Sequence, residues 1–210
     1  MRLTKYEHAC FTLEKDGKLL VVDPGSYTTD LEAPENVAAI VVTHEHADHF
    51  DPAALGALIA HNPEAIIYGH EHITRQFGDT LPHQAVATGD RVTAGPFQLE
   101  FFGGEHALIH TDYPVIPNLG VLVDDTVAYP GDSFALPGKS IEVLALPVAA
   151  PWLNISQTLE YLAAVTPRVA FPTHDAILSP AGKELVDRLV GAKAAQLQVT
   201  YRRPAEPIEL

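Results

Sequence analysis

Short apolar runs alternate with polar segments that contain glycine or proline along most of the chain. The runs at residues 19–22 and 38–43 predict buried strands, and each is followed directly by polar residues. Residues 52–61 predict a helix, because Asp51 suits the N-cap position and Pro52 suits the first helical position. The first third of the chain continues with a predicted short strand at 65–69 and a predicted helix at 71–78.

The middle of the chain has the two-residue alternation of half-buried strands. Phe97, Leu99 and Phe101 occupy every second position of one predicted strand, so their side chains point to the same face. A hairpin is predicted to turn at Asp124 and Asp125. The remaining predictions are strands at 143–147, 169–174 and 197–202 and helices at 156–165 and 179–195. This order predicts an α+β fold with two sheets packed together and helices outside, in a single domain over residues 1–210.

Composition and charge narrow the partners that we expect. The chain has a formal net charge of −14, so its surface repels nucleic acid and anionic membranes. Its single cysteine, Cys10, allows no internal disulfide and is predicted to pack in the core. The first residues do not resemble a secretory signal peptide, and no apolar run is long enough to span a membrane. We therefore expect a cytoplasmic protein with a small-molecule substrate.

The segment THEHADH, residues 43–49, follows a predicted buried strand. Its side chains His44, His46, Asp48 and His49 are clustered where a strand ends, and several of them can converge on one point there. A solvated turn that holds histidines by chance is the less favoured interpretation. The segment predicts part of a metal site, with the first two histidines on one ion and the last two residues on another.

Three further residues follow predicted strands in the same way. His106 lies in GGEHA, Asp132 in PGDS and His174 in PTHD. Each one alone is more often a structural residue, but together they repeat one placement beside small or turn-forming neighbours. They are therefore the candidates for the remaining ligands of a dinuclear site.

Together with Asp23 in VVDPG, these motifs resemble the metallo-β-lactamase superfamily over nearly the whole chain. The opening segment, residues 6–25, also resembles the small metal-dependent hydrolases that include L-ascorbate-6-phosphate lactonase-like proteins, although Glu7 stands where that branch has glycine. The resemblance implies a four-layer αββα sandwich with metal ions at one edge, between the sheets.

The resemblance also implies a role for each motif residue. One ion would be held by His44, His46 and His106, a second by Asp48, His49 and His174, with Asp132 bridging and Asp23 supporting the histidine loop. Imidazole and carboxylate ligands suit zinc, with manganese or iron as alternatives. Asp48 and Asp132 are the catalytic candidates. We expect a metal-bound hydroxide that cleaves a small ester, lactone or phosphate ester.

Other functions stay open at the level of sequence. Histidine at position 46 favours hydrolysis, whereas the superfamily's di-iron oxidoreductases have glutamate there. A mononuclear iron-dependent oxygenase that acts on a thiol or persulfide is one alternative, and a non-catalytic binding module is another. The complete set of seven ligands argues against both. A β-lactamase is not favoured without an export signal.

Several residues outside the motifs are candidates for the pocket. His8 matches the N-terminal histidine of the lactonase-like branch, and His110 lies on a loop close to His106 in sequence. Trp152 could contact substrate or cap the core. The pair His70 and His72 lies at a predicted helix start without a matching carboxylate, which favours a surface or pocket-rim position.

Overall fold

Two seven-stranded sheets form the centre of the computed structural model, which describes residues 1–210. The strands in chain order are β1 (Arg2–Lys5), β2 (Phe11–Lys15), β3 (Lys18–Val22), β4 (Val37–Val41), β5 (Ile66–Gly69), β6 (His83–Ala85), β7 (Arg91–Ala94), β8 (Phe97–Glu105), β9 (Pro117–Val123), β10 (Val127–Tyr129), β11 (Val143–Pro147), β12 (Val169–Thr173), β13 (Thr200–Tyr201) and β14 (Ile208–Glu209). The helices are α1 (Pro52–His61), α2 (Glu71–Thr74), α3 (Ile155–Val165) and α4 (Pro180–Gln196).

Each sheet has an antiparallel part and a parallel part. The first has the order β14-β1-β2-β3-β4-β5-β6, in which β3 to β6 run parallel. The second has the order β13-β12-β11-β10-β9-β8-β7, in which β10 to β13 run parallel. Parallel neighbours end at the same edge of a sheet, so the residues that follow several strands meet there.

The main core lies between the two sheets, and two smaller cores lie outside them. The central cluster contains side chains of both sheets, among them Leu20 and Phe171. Helices α1 and α2 pack on the outer face of the first sheet. Helices α3 and α4 pack on the outer face of the second. The predicted four-layer αββα sandwich is confirmed.

The predicted local signals act at the expected positions. The Asp51 side chain accepts a hydrogen bond from the backbone N–H of Ala53 and caps α1. At the start of α3, Asn154 and Gln157 form a reciprocal capping box, which was not among the predicted signals. Asp124 and Asp125 both have φ near +50° in the hairpin between β9 and β10, a conformation that aspartate tolerates better than most residues.

The predicted helix at 71–78 is wrong beyond Thr74. Gln76 and Phe77 donate to residues three positions earlier, Ile73 and Thr74, so the chain continues in tight turns. The strand predicted at 197–202 is reduced to β13, because the backbone N–H groups of Leu197 and Gln198 still donate to carbonyl oxygens in the last turn of α4. Strands β1, β2, β6 and β14 have no counterpart in the predicted elements. None of the helices has the length and apolar character needed to cross a membrane.

Candidate metal centre

The predicted ligands all lie at the edge where strands of both sheets end. Asp23 follows β3, the histidine segment follows β4, and His106 follows β8. Asp132 comes shortly after β10, and His174 follows β12. The first sheet therefore supplies one side of the site and the second sheet supplies the other.

The ligand atoms form two groups in which all atoms lie within 4.8 Å of one another. The first set contains His44, His46, His106 and Asp132. The second set contains His8, Asp48, His49 and His174. All seven predicted ligands thus lie in these two groups, Asp132 with the first, and His8, which the sequence suggested only as a pocket residue, lies with the second set.

Asp132 lies between the two sets and is almost fully buried. Its Oδ2 is 3.4 Å from Nε2 of His106 and 3.0 Å from Nε2 of His174. Its Oδ1 is 3.2 Å from Nε2 of His49. One carboxylate therefore reaches imidazoles of both sets, which is the position needed for a bridging ligand.

Asp23 supports the histidine segment from behind. Its carboxylate accepts hydrogen bonds from the backbone N–H and the hydroxyl of Thr43 at 2.8 and 2.7 Å. It also lies 2.7 Å from Nδ1 of His49. Outer carboxylates of this kind fix the tautomer and orientation of ligating imidazoles.

In three of the histidines, Nδ1 contacts a protein oxygen and Nε2 faces the other ligand candidates. Nδ1 of His44 contacts the Thr43 hydroxyl, and Nδ1 of His106 lies 2.6 Å from the carbonyl oxygen of Ala107. Nδ1 of His49 is held by Asp23. Because each Nδ1 has an acceptor as its partner, the neutral form of each imidazole carries its lone pair on Nε2, the nitrogen that faces the other ligand candidates.

His8 has the opposite arrangement. Its Nδ1 accepts a hydrogen bond from the backbone N–H of Ala176 at 3.3 Å, so its Nε2 carries the proton. That Nε2 donates to Oδ2 of Asp48 at 2.9 Å. His8 therefore holds the Asp48 carboxylate in place, and it offers no lone pair in this tautomer.

Trp152 has a specific polar contact at the centre of the site. Its side chain is buried, and its indole Nε1 donates a hydrogen bond to Oδ2 of Asp132 at 2.8 Å. The ring also stacks edge-on with Phe134 and His106. The sequence left two roles open for Trp152, contact with substrate or packing in the core. The structure gives it a third role, because the buried indole orients the Asp132 carboxylate.

Close backbone approaches hold the ligand loops together. A Cβ on Gly25 would lie 2.0 Å from the carbonyl oxygen of Asp48, so only glycine fits between the two loops. The side chain of Asn118 donates to the carbonyl oxygen of Pro130 and accepts from the backbone N–H of Asp132. Sequence patterns gave no indication of Asn118, because a single asparagine near a strand start is common.

Three residues of the site have positive φ without being glycine. His8, Asp23 and His174 have φ of 54°, 46° and 61°. Such conformations cost about 1–3 kcal/mol each and persist where surrounding contacts enforce them. Their concentration around one group of side chains is typical of a functional site.

Charge coupling shifts the pKa values of the ligands in opposite directions. Burial lowers the pKa of His44 well below its ordinary value, and the neighbouring His49 adds to this. Burial alone would also lower the pKa of His49 and His174, but Asp132 raises the first well above its ordinary value and the second to about 9. Burial opposes ionisation of Asp132, yet His49 and His174 hold its pKa well below the usual range.

The residues fit a metal-binding role by their unpaired atoms as well as by their chemistry. The buried atoms without a hydrogen-bond partner include His49 Nε2, His106 Nε2, Asp132 Oδ1 and His174 Nδ1. Unpaired buried polar atoms are costly, and divalent cations would satisfy those that face the site. Imidazoles and carboxylates without thiolate suit zinc, manganese or iron. Burial raises the pKa of the Cys10 thiol to about 12, which agrees with its predicted packing role.

Other candidates lie outside the two sets. His110 has a side chain that is 61% exposed and faces Asp112, so it does not reach the ligands. His70 caps α2 by accepting from the backbone N–H of His72, and this pair forms no part of either set. The Ser133 hydroxyl donates to the carbonyl oxygen of Pro130 and so stabilises the turn around Asp132.

Comparisons with known proteins agree with this geometry. A family model described as the β-lactamase superfamily domain matches residues 2–174. Protein Rv0786c of Mycobacterium tuberculosis is 38% identical over 185 residues, which cover 86% of each chain. The UPF0173 metal-dependent hydrolase MJ1163 of Methanocaldococcus jannaschii is 23% identical over 99% of this chain and 100% of its own. The solved structure of the metallo-β-lactamase fold protein YhfI from Bacillus subtilis superposes with a TM-score of 0.71 at 18% identity, over 99% of both chains.

Proposed function

The chain belongs to the β-lactamase superfamily as a metal-dependent hydrolase, and on this premise we propose that it uses two metal ions to cleave a small ester, lactone or phosphate ester. The observation that carries the proposal is the position of Asp132, whose Oδ2 lies 3.4 Å from Nε2 of His106 in the first set and 3.0 Å from Nε2 of His174 in the second. A mononuclear site would not need a shared carboxylate at this position.

In this proposal, His44, His46 and His106 would hold one ion and Asp48, His49 and His174 would hold the other. Asp132 would contribute to both sets. Zinc is the expected metal, with manganese and iron as alternatives that the same ligands can hold. Bound ions would supply Lewis-acid polarisation of the scissile carbonyl or phosphoryl group and would lower the pKa of water to near neutral.

The chain's own residues keep the site charged and aligned. Burial would raise the pKa of Asp48, but hydrogen bonds with His174 and His8 hold it below the usual range, so this carboxylate stays ionised at neutral pH. Asp48 is also the more accessible of the two catalytic candidates, with 23% of its side chain exposed against 3% for Asp132. Asp48 therefore faces the incoming substrate, and Asp132 fixes the spacing of the two sets.

The proposal is tested by loading the metal-free chain with zinc, manganese or iron and assaying small esters, lactones and phosphate esters. We expect turnover with at least one of these classes, and loss of about a thousandfold or more in Asp132→Ala, in line with the loss of an essential catalytic group. Ser133→Ala is the neighbouring control and should keep its activity.

Two results would contradict the proposal. Oxygen consumption with a thiol or persulfide, supported by iron and absent with zinc, would establish an oxygenase. Full turnover by Asp132→Ala with unchanged metal content would show that the two sets do not share this carboxylate.

A further inference from the structure

Exposed large apolar side chains are concentrated on the loops that carry the candidate ligands. Nine large apolar residues are more than a third exposed, and two of them, Leu185 and Leu189, lie on α4. The other seven lie on the loops that contain Asp23, His106, Asp132 or His174. Scattered apolar residues need no explanation, but a concentration beside a polar site indicates a binding surface.

Direct contacts tie these loops to the metal centre. The ring of Tyr27 lies 5.0 Å from that of His8, edge to face. Ala107, next to Leu108, donates its backbone N–H to the carbonyl oxygen of Asp132 at 2.8 Å. Ala176, next to Ile177, donates to Nδ1 of His8. Tyr27, Leu108, Tyr113 and Ile177 are together called the apolar rim below.

The same loops offer no free cation. The only lysine or arginine within residues 23–36, 42–51, 106–116, 130–142 and 174–179 is Lys139, which is bonded to Glu100 and Asp125 at 2.8 Å each. Lys5 and Arg203 are both paired with Asp175, the residue that follows His174. A phosphate group on the substrate would therefore find no unpaired lysine or arginine on the loops that carry the ligands, on a chain with net charge −14.

We propose that the substrate is a neutral ester or lactone with an extended apolar acyl group, which lies along the apolar rim while its carbonyl carbon reaches the two ligand sets. This inference rests on the proposed hydrolase function and selects among its substrate classes. Water supplies the oxygen for the new carbon–oxygen bond, and the ester carbon–oxygen bond breaks. The departing oxygen takes one proton to become an alcohol, and the acid product ionises and releases the other.

Burial of an acyl chain on the rim predicts a dependence of rate on chain length. Full burial of one methylene is equivalent to about fourfold in binding, and burial on one side only gives about twofold. For p-nitrophenyl acetate, butanoate, hexanoate and octanoate, we expect kcat/KM to rise by about fourfold for each added pair of methylenes.

Variants locate this dependence on the rim. Ile177→Ser and Tyr113→Ser should lower the ratio of octanoate to acetate kcat/KM by about tenfold. Leu185→Ser is the matched control, since Leu185 and Ile177 are both 48% exposed and Leu185 lies on α4. It should keep the wild-type ratio. Binding of the neutral apolar dye Nile red gives a second readout that needs no turnover, and it should weaken in the two rim variants only.

The failures of the two proposals are distinguishable. Turnover with a flat chain-length series, or a preference for a phosphodiester over all neutral esters, would overturn the apolar acyl group and leave the hydrolase in place. No turnover with any substrate, together with rim-dependent Nile red binding, would overturn the hydrolase instead. A third outcome is a rate that does not depend on chain length, together with a wild-type dimer that Ile177→Ser dissociates. It would show that a second copy of the chain covers the apolar rim, and it too would overturn the inference.

Discussion

At the scale of single residues, the contact between Trp152 and Asp132 gives a sharp prediction. Trp152→Phe keeps an aromatic ring but removes the N–H that donates to Oδ2 of Asp132. Loss of a group that orients a ligand typically costs about 10- to 100-fold in metal affinity. We expect a loss of this size in competition titrations against a chromophoric chelator. Trp152 is the only tryptophan, so wild-type fluorescence should also change as metal binds.

Phe134→Leu is the control for this variant, because Phe134 stacks on Trp152 without contacting the carboxylate by a hydrogen bond. It should lose much less affinity. Equal losses in the two variants would mean that packing, and not the indole N–H, holds the Asp132 side chain.

The raised pKa of His174 predicts that metal binding depends on pH. Although burial opposes it, Asp132 raises this pKa to about 9, so the free imidazole carries a proton at neutral pH. Metal binding must displace that proton, and affinity should therefore rise with pH through the neutral range toward about pH 9. Calorimetry in two buffers of different ionisation enthalpy should detect proton release near pH 7. Affinity that is independent of pH would contradict this description of the site.

Whether a site residue could be predicted from sequence depends on whether its role is visible in the local sequence pattern. The ligand candidates are chemically distinctive and follow strands directly, so His44, Asp132 and His174 could be proposed from sequence, and the structure brings them together. Trp152 acts through one hydrogen bond and Asn118 through two, all to residues at least 12 positions away in the chain. No local pattern encodes such contacts. That the ligands bind metal stays a prediction.

At the scale of elements, alanine substitutions at two glycines are expected to change stability in opposite directions. Gly25→Ala would place a Cβ 2.0 Å from the carbonyl oxygen of Asp48 and would push the two ligand loops apart. We expect lower metal content and a lower melting temperature. Gly56→Ala meets nothing within 4 Å inside α1 and should raise stability by about 1 kcal/mol without changing the metal content. Wild-type metal content and melting temperature in Gly25→Ala would show that the loops can separate without loss of the site.

Element prediction succeeded where local signals are strong. Helix α1 has a capping residue and a proline at its start, and the hairpin between β9 and β10 has two aspartates that tolerate positive φ. Strand β14 has only two residues and exists because it pairs with β1 from the other end of the chain. Pairing over such distances leaves no periodic pattern in a short segment.

At the scale of the whole molecule, the site is an interface between the two sheets. The strands of the first sheet lead into Asp23 and the histidine segment, and those of the second lead into His106, Asp132 and His174. Neither sheet alone supplies a complete set, since His106 and Asp132 join residues that follow β4. The family fold was predictable because several motifs occur in one order over nearly the whole chain, and the match over residues 2–174 confirms it.

The central claim is that the chain holds two metal ions in two separable sets that share Asp132. The most direct test is elemental analysis of protein purified without added metal, counted per chain for the wild type, His46→Ala and His174→Ala, with His72→Ala as a control outside both sets. We predict about two ions in the wild type and the control, and about one in each of the two ligand variants. A single ion in the wild type that is lost equally in either ligand variant would contradict the claim.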